Sequence, residues 1–179
     1  MKSKRNLLII GAGGHGKVIL DAAIKLNEYT ILGFLDDQKS LGTVIEQDFT
    51  VLGGVEGIKD LFSADTCFVV AIGDNMSRKR IYDKLKKVMV PAVLVHPSAS
   101  VSDSAVVGPG SVVLAGAVIN SGSMIGENCI VNSLALVDHE TRVGSHSHIS
   151  QGALIGSNLK LPDLFTARFG ERVPSVAHP

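Results

Sequence analysis

Two segments of this sequence combine residue types and spacings that suit chemistry on a small ligand. The first, GAGGHG at residues 11–16, follows an apolar run and precedes a helix-like stretch. Glycines at this spacing permit a tight turn and a close approach of the backbone to a phosphate, and a helix N-terminus offers unpaired N–H groups to the same anion. The segment therefore predicts a phosphate-binding loop, with one bulky polar residue, His15, inside it.

Polar residues after two later predicted strands extend this candidate site. Asp36 and Asp37 end the second strand about 20 residues beyond the last glycine of the loop, where a carboxylate can reach a ribose or a base. Asn75 follows another strand and either contacts a ligand or caps the next helix. An NAD-dependent oxidoreductase would share these features and stays an alternative, although roughly 90 residues are few for the two mononucleotide halves of a dinucleotide site.

The second segment contains His139 and Glu140, with His146 and His148 a few residues later. Histidine is the usual general base for transfer to an amine or a hydroxyl, because its pKa lies near neutral pH. Glu140 is suited to orient His139 or to stabilise the imidazolium that forms. We expect no metal at this site, because neither carboxylates nor cysteines recur at the spacing of metal ligands.

The first half of the chain alternates apolar runs with helix-like segments. This pattern is typical of a parallel sheet covered by helices, which binds ligands at the carboxyl ends of its strands. Residues 1–94 are therefore predicted to form a small Rossmann-like α/β domain. Its predicted strands are Asn6–Ile10, Thr30–Phe34, Cys67–Ile72 and Ala92–Val95, and its predicted helices are Lys17–Leu26, Val55–Phe62 and Ser77–Lys87.

From Val95 onward the pattern changes to a repeat of six residues. The aliphatic positions are Val95, Val101, Val107, Val113, Ile119, Ile125, Val131, Val137, Val143, Ile149, Ile155 and Leu161. Four residues after each of the first ten comes a small residue: Ala99, Ala105, Ser111, Ala117, Ser123, Cys129, Ala135, Thr141, Ser147 and Ala153. A fixed period of this kind predicts a parallel β-helix over residues 95–161, with both columns pointing inward and the small one near the corners.

The repeat also determines where the two candidate histidines lie. His139 and His148 are half a coil apart, too far along the perimeter to pair within one subunit, so we expect a cleft between subunits to bring such groups together. The six-residue pattern stops at Leu161. Residues 162–179 are therefore predicted to be an atypical tail outside the repeat, suited to capping an exposed solenoid end.

The composition excludes several classes of partner. Lysine plus arginine and aspartate plus glutamate both number 17, so no global charge attracts nucleic acid or an anionic membrane. No stretch approaches the roughly 20 apolar residues that span a bilayer. Cys67 and Cys129 lack a metal-ligand spacing and are predicted to be buried thiols, which favours a reducing, cytoplasmic location.

Together these segments resemble the bacterial nucleotide-sugar acetyltransferases of the PglD/NeuD type, which belong to the hexapeptide-repeat acyltransferase superfamily. The resemblance extends from Lys4 to about Leu161, and several segments in one order are far more specific than any one alone. The matching segments are GAGGHGKV at 11–18, LDD at 35–37, AIGDN at 71–75 with Arg78 and Lys79, HPSA at 96–99 and VDHE at 137–140. The family's fold would make the predicted solenoid a left-handed parallel β-helix.

This resemblance implies a role for each candidate residue. Gly14, His15, Asp36, Asp37 and Asn75 would contact the nucleotide sugar in the amino-terminal domain. In the family, acetyl-CoA lies along the β-helix between neighbouring subunits of a homotrimer. By the same resemblance, the catalytic and cofactor-binding residues are His139 as general base, Glu140 as its acidic partner, His148 near the thioester oxygen and Gly156 in the coenzyme A groove.

The predicted reaction is acetyl transfer from acetyl-CoA to an amino group, or less favourably a hydroxyl, of a UDP- or GDP-linked sugar. Such chemistry serves the synthesis of surface glycans. Family members normally continue for about two coils beyond the position of Leu161, and those coils carry much of the coenzyme A groove. A second alternative is therefore a catalytically impaired trimer that binds a sugar nucleotide but not coenzyme A.

Overall fold

The computed structural model describes residues 4–60 and 66–175. Contacts between residues divide the chain into two compact units, one ending at Ala92 and the other starting at Val93. The first unit alternates strands with helices and the second consists of short strands alone. Within the described ranges, neither α-helix has the length and apolar character that crossing a bilayer requires.

The amino-terminal unit has the predicted α/β arrangement. Its elements are β1 (Arg5–Ile10), α1 (Gly14–Leu26), β2 (Tyr29–Leu35), β3 (Val44–Glu46), β4 (Phe49–Thr50), a 3-10 helix (Val55–Asp60), β5 (Cys67–Val70), α2 (Asn75–Leu85) and β6 (Val90–Pro91). The helix predicted over Val55–Phe62 is thus a 3-10 helix, and Leu61 and Phe62 lie outside the described residues. The strand predicted over Ala92–Val95 is wrong, because sheet pairing ends at Pro91 and the next strand belongs to the second unit.

The central sheet explains why a ligand site forms at one of its edges. Its order is β2-β1-β5-β6, and all neighbouring strands are parallel. Leu7–Ile10 of β1 are at most 1% exposed, as expected of a strand that helices or loops cover on both faces. The chain crosses from one side of β1 to the other between β2 and β5, which leaves a crevice beyond the carboxyl ends of β1 and β5.

The second unit is a left-handed parallel β-helix with three faces. Its strands are β7 (Leu94–Val95), β8 (Ser100–Val101), β9 (Val106–Val107), β10 (Val112–Val113), β11 (Val118–Ile119), β12 (Met124–Ile125), β13 (Ile130–Val131), β14 (Leu136–Val137), β15 (Arg142–Val143), β16 (His148–Ile149), β17 (Leu154–Ile155), β18 (Lys160–Leu161), β19 (Thr166–Ala167) and β20 (Arg172–Val173). The faces are the sheets β7-β10-β13-β16-β19, β8-β11-β14-β17-β20 and β9-β12-β15-β18. Each strand pairs in parallel with the one 18 residues later, so one coil comprises three hexapeptides.

Both predicted columns line the interior of the β-helix. Along the middle coils the aliphatic residues from Val113 to Ile155 are at most 3% exposed, and the small residues from Ser111 to Ala153 at most 1%. The hydroxyl groups of the small column are hydrogen-bonded to corner carbonyls, for example Ser111 Oγ to Gly126 O at 2.8 Å and Thr141 Oγ1 to Gly156 O at 2.7 Å. A buried hydroxyl is tolerated in this core because it satisfies a backbone acceptor.

The expectation that the repeat stops at Leu161 is wrong. Strand β19 pairs with β16 and β20 pairs with β17, in the same register as every earlier coil. Ala167 occupies the aliphatic column and is fully buried, whereas Phe165 occupies the small column and packs partly buried against the core. The large and the small side chain are therefore exchanged between the two columns in this coil. Because of this exchange, the sequence pattern does not reveal that the repeat continues to Val173.

Leu134 occupies a corner where the backbone favours glycine or asparagine. Its φ is +60°, and the equivalent positions one coil before and one coil after are Gly116 and Gly152. A left-handed conformation costs a residue with a β-carbon roughly 1–2 kcal/mol, and the Leu134 side chain is 71% exposed. We expect Leu134→Asn to raise the free energy of unfolding by about 1 kcal/mol, measured by urea denaturation. The reverse change one coil later, Gly152→Leu, should lower it, and a less stable Leu134→Asn variant would contradict this explanation.

Candidate active site

A cleft of about 480 Å³ lies at the carboxyl ends of β1, β2 and β5. Four residues predicted from the sequence lie in its wall, namely Gly14, His15, Asp36 and Asp37. The glycine loop forms one side of the cleft, the end of β2 another, and the amino-terminal half of α2 a third. The cleft therefore occupies the crevice that this strand order creates.

Each glycine of the loop has its own physical requirement. A β-carbon at Gly16 would lie 2.2 Å from the carbonyl oxygen of Gly11, so the first turn of α1 can approach the end of β1 only without a side chain. Gly11 has a φ of +108°, a backbone conformation that favours glycine because it has no β-carbon. Positions 13 and 14 face open space, and the N-cap residue of α1, Gly13, has no side chain to cap the helix. The N-terminus of a helix is suited to binding an anion.

The two aspartates differ in how many of their carboxylate oxygens accept a hydrogen bond from the backbone. Asp36 accepts a hydrogen bond at each oxygen, from the Ala12 N–H at 2.8 Å and from the Gln38 N–H at 2.8 Å. Among the described residues, Asp37 accepts one hydrogen bond, from the Val55 N–H to Oδ1 at 2.7 Å. Asp36 therefore ties the end of β2 to the glycine loop, while Oδ2 of Asp37 is better placed to accept a hydrogen bond from a ligand.

Asn75 does not lie in the wall of the cleft. Its side chain is 9% exposed, and its Oδ1 accepts a hydrogen bond from Arg78 Nη2 at 2.6 Å. Arg78 is 1% exposed and also donates to the carbonyls of Ile72 and Gly73 at 3.0 and 3.1 Å. Both side chains hold the turn between β5 and α2. The N-cap of α2 is Asp74, whose carboxylate accepts the Ser77 N–H.

The sequence prediction missed three polar residues of the cleft, Gln38, Ser77 and Arg80. Ser77, Arg80 and Ile81 are spaced i, i+3 and i+4, which places them on one face of α2. The Asp74 cap fixes the start of this helix, so the spacing was visible in the sequence. What the sequence did not show is which helical face turns toward the glycine loop.

A second cavity in the same unit, of about 660 Å³, contains none of the predicted site residues. Its basic residues are Arg80, which also borders the first cleft, Lys84, which pairs with Glu56, and Lys87. The neighbouring Asp83 accepts hydrogen bonds from Lys79 and Lys86, which lower its pKa to about 2. Because this cavity contains no residue of the glycine loop or of the end of β2, we place the candidate ligand site in the smaller cleft.

In the second unit, His139 lies exposed at the corner between β14 and β15. Its backbone is fixed on two sides. Its carbonyl accepts the N–H of Asn158 at 3.0 Å, and its own N–H donates to Asp138 Oδ1 at 2.8 Å. Asn120 Nδ2 donates to the same oxygen at 2.8 Å, and these hydrogen bonds lower the pKa of Asp138. A fixed backbone leaves the exposed imidazole free to act on a ligand.

Glu140 takes the left-handed conformation that turns this corner, with φ +56°. Its N–H donates to Ser121 O at 3.0 Å, in the preceding coil. A β-carbon at Gly122 would lie 2.4 Å from Glu140 Oε1, so the carboxylate lies directly over Gly122. The equivalent corners of neighbouring hexapeptides, such as Leu134 and His146, share this conformation, so the φ of Glu140 belongs to the β-helix and is not by itself a sign of function.

The remaining histidines lie in different surroundings from His139. His148 is half-buried on β16, on another face of the β-helix, with Nε2 3.2 Å from Asn132 Nδ2. His146 is 4% exposed, and its Nδ1 lies 2.9 Å from Asn128 Nδ2. His146 therefore holds a corner of the β-helix, whereas His139 and His148 are accessible from outside.

Gly156 lies in a shallow groove of about 470 Å³ on the face formed by β14, β17 and β20. Leu136 and Leu154 form its apolar floor, Asp138 lies at its edge, and Arg172 lies on its last described strand. A β-carbon at Gly156 would lie 2.4 Å from the backbone nitrogen of Ser175, so the glycine lets the next coil approach closely. The groove brings an apolar strip together with the residue that precedes His139.

Comparison with known proteins relates both units to enzymes of one kind. The family model described as PglD N-terminal domain matches residues 6–85. A curated relative, the UDP-N-acetylbacillosamine N-acetyltransferase of Bacillus subtilis (strain 168), is 32% identical over 105 residues, which cover 57% of this chain and 48% of that protein. The matched segment thus spans about half the length of this curated relative.

Two solved structures match nearly the whole chain. The acetyltransferase domain of PglB from Neisseria gonorrhoeae FA1090 has 37% identity and a TM-score of 0.78, over 96% of this chain and 86% of that one. PerB from Caulobacter crescentus, solved in complex with CoA and GDP-perosamine, has 28% identity and a TM-score of 0.72, over 98% of this chain and 84% of that one. The fold agrees with these comparisons, and the chain belongs to the PglD/NeuD-type nucleotide-sugar acetyltransferases of the hexapeptide-repeat superfamily.

Proposed function

We propose that this chain transfers an acetyl group from acetyl-CoA to the amino group of a nucleotide-linked sugar. The observation that carries the proposal is the exposed His139 imidazole on a corner that hydrogen bonds hold to Asp138 and to Asn158. A general base must meet its substrate without losing its position, and this corner meets both requirements. The relatives favour an amino acceptor over a hydroxyl, since the B. subtilis relative is named as an N-acetyltransferase.

In the proposed reaction the sugar amine attacks the carbonyl carbon of the thioester. A C–N bond forms, the C–S bond breaks, and the proton that leaves the nitrogen passes to His139. The imidazolium then gives this proton to the departing thiolate of coenzyme A. The Glu140 carboxylate stabilises the transient positive charge, and no covalent intermediate forms on the protein.

The donor is assigned to the β-helix. The PglB domain has been solved with acetyl coenzyme A and PerB with CoA, and this chain matches both over nearly its full length. The groove that contains Gly156 has the apolar floor that a pantetheine arm requires. His148 would contact the acetyl end of the donor from a neighbouring subunit, since it lies on a different face from His139. This role requires an oligomer, for which we propose a homotrimer that works in the cytoplasm.

The acceptor's nucleotide is assigned to the cleft of the amino-terminal unit. The glycine loop supplies the N-terminus of α1 for phosphate, and Asp37 supplies a carboxylate oxygen for a ribose hydroxyl or a base N–H. The described sheet has only the four strands β2-β1-β5-β6, which does not favour the second mononucleotide half of an NAD site. The repeat continues to Val173, two hexapeptides beyond Leu161, so a catalytically impaired trimer stays the alternative that a coenzyme A binding measurement decides.

The direct test is a turnover assay with acetyl-CoA and a panel of UDP- and GDP-linked amino sugars. Release of the coenzyme A thiol, followed with a thiol reagent, should require both the protein and one class of sugar nucleotide. Mass spectrometry of the product should show a gain of one acetyl group. If no sugar of the panel supports thiol release and the protein binds no acetyl-CoA, the proposal is wrong.

Replacing Glu140 tests its assigned role. We expect Glu140→Gln to lower kcat by about tenfold with little change in KM, because the variant keeps the shape of the side chain but removes the negative charge assigned to stabilise the imidazolium. Steady-state kinetics of both proteins measures the effect. An unchanged kcat would exclude Glu140 as the partner of His139.

A further inference from the structure

The charges in the wall of the nucleotide cleft are distributed unevenly. The acidic residues Asp36 and Asp37 both lie at the end of β2. Both are held there, because Asp36 accepts two backbone N–H groups and Asp37 accepts one. Neither can move away from an incoming anion. A diphosphate is therefore excluded from this side of the cleft, whereas hydroxyl and N–H donors of a ribose or base are favoured there.

A different wall of the cleft is formed by α2. Here Arg80 provides a positive charge, and among the described residues of the wall it is the one arginine or lysine. Its side chain is exposed, and the described part of the chain gives it no salt bridge. Other cations of α2 differ in this respect, because Lys79, Lys84 and Lys86 are paired with acidic residues.

Ser77 lies one helical turn before Arg80 and also faces the cleft. A hydroxyl and a guanidinium at this spacing lie on one helical face, across from the open positions 13 and 14 of the glycine loop. Guanidinium binds phosphate oxygens through two parallel N–H donors, which gives it both affinity and geometric selectivity. The combination suits a phosphate chain that runs between the loop and α2.

We propose that Arg80, assisted by Ser77, binds the diphosphate of the sugar nucleotide and so fixes its direction in the cleft. The ribose and base then lie toward Asp37. This inference rests on the proposed function, because it takes the cleft as the nucleotide site. It adds a phosphate-binding residue that the glycine-loop pattern does not contain.

The experiment compares the affinities of wild type, Arg80→Ala and Arg80→Lys for UDP, GDP and the corresponding monophosphates, measured by calorimetry. We expect Arg80→Ala to weaken binding of the preferred diphosphate by ten- to a hundredfold and binding of its monophosphate by much less. Arg80→Lys should recover part of the loss. The affinity of wild type should fall more steeply with added salt than that of Arg80→Ala, because one ionic contact is missing in the variant.

Lys84→Ala is the matched control. It removes one positive charge from the same helix, four residues away. Lys84 pairs with Glu56 and borders the second cavity but not the cleft, whereas Arg80 borders both. It should bind diphosphate within about twofold of wild type. Arg80 is exposed and alanine favours helix, so equal circular dichroism spectra and thermal midpoints should confirm that the variants fold.

The outcomes separate this inference from the proposed function. If wild type binds a diphosphate and Arg80→Ala binds it equally well, the role of Arg80 is wrong while the function stands. If Lys84→Ala loses as much affinity as Arg80→Ala, the effect comes from overall charge and the specific contact is again excluded. If wild type binds neither UDP nor GDP, the cleft is not the nucleotide site and both proposals fail.

Discussion

His139→Ala should abolish turnover while leaving the protein folded and able to bind both substrates. A positioned general base contributes about 10²- to 10⁴-fold to a rate, and His139 is the one histidine among the described residues of this corner. The imidazole is exposed and makes no hydrogen bond to the described part of the chain, so its removal should cost little stability. Steady-state kinetics with the best acceptor from the panel, at saturating acetyl-CoA, measures the loss of kcat.

Two further variants make this result specific. His139→Gln keeps a polar side chain but has no basic nitrogen, and it should be as inactive as the alanine variant. His146→Ala removes a buried histidine whose Nδ1 lies 2.9 Å from Asn128 Nδ2, so it should lower the thermal midpoint while retaining turnover at low temperature. If His139→Ala keeps more than a tenth of the wild-type kcat, His139 is not the base.

The β-helix could be predicted in detail because its physical constraint is strictly periodic. One face takes six residues, so the inward positions recur without a shift from Val95 to Leu161. The prediction failed where side-chain sizes are exchanged between the columns, at Phe165 and Ala167. The exchange leaves the strand pairing unchanged, because the backbone hydrogen bonds form whichever column carries the larger side chain, provided that both side chains fit inside the β-helix.

The candidate site was less accessible to sequence reasoning, because a residue's type does not reveal its partners. Asp36 and Asp37 are adjacent and identical, yet hydrogen bonds occupy both oxygens of the first and only one of the second. Asn75 matched the family's motif, but its side chain turns inward to Arg78. Arg80 was missed because its importance depends on which face of α2 lines the cleft. The assigned roles of these residues stay predictions until the variants are measured.

Gly16→Ala should destabilise the protein by about 3–5 kcal/mol, a loss at the upper end of the range for single substitutions. The added β-carbon would lie 2.2 Å from the Gly11 carbonyl oxygen and 3.3 Å from the Phe34 ring. The first clash is with backbone, so no side-chain rotation can relieve it. Either α1 or the end of β1 must therefore move, although α1 packs against the sheet and β1 is part of it. Urea denaturation, followed by circular dichroism, measures the change in the free energy of unfolding.

Gly13→Ala is the matched control because it adds the same methyl group three residues earlier in the same loop. Position 13 has φ −83° and nothing within 4 Å of the added carbon, so its stability should stay within about 1 kcal/mol of wild type. The methyl group would project toward the cleft, however, and should weaken diphosphate binding. The two variants therefore separate the two uses of a glycine-rich loop, close packing of helix on strand at Gly16 and open access for a phosphate at Gly13. Equal stability losses in both would contradict that division.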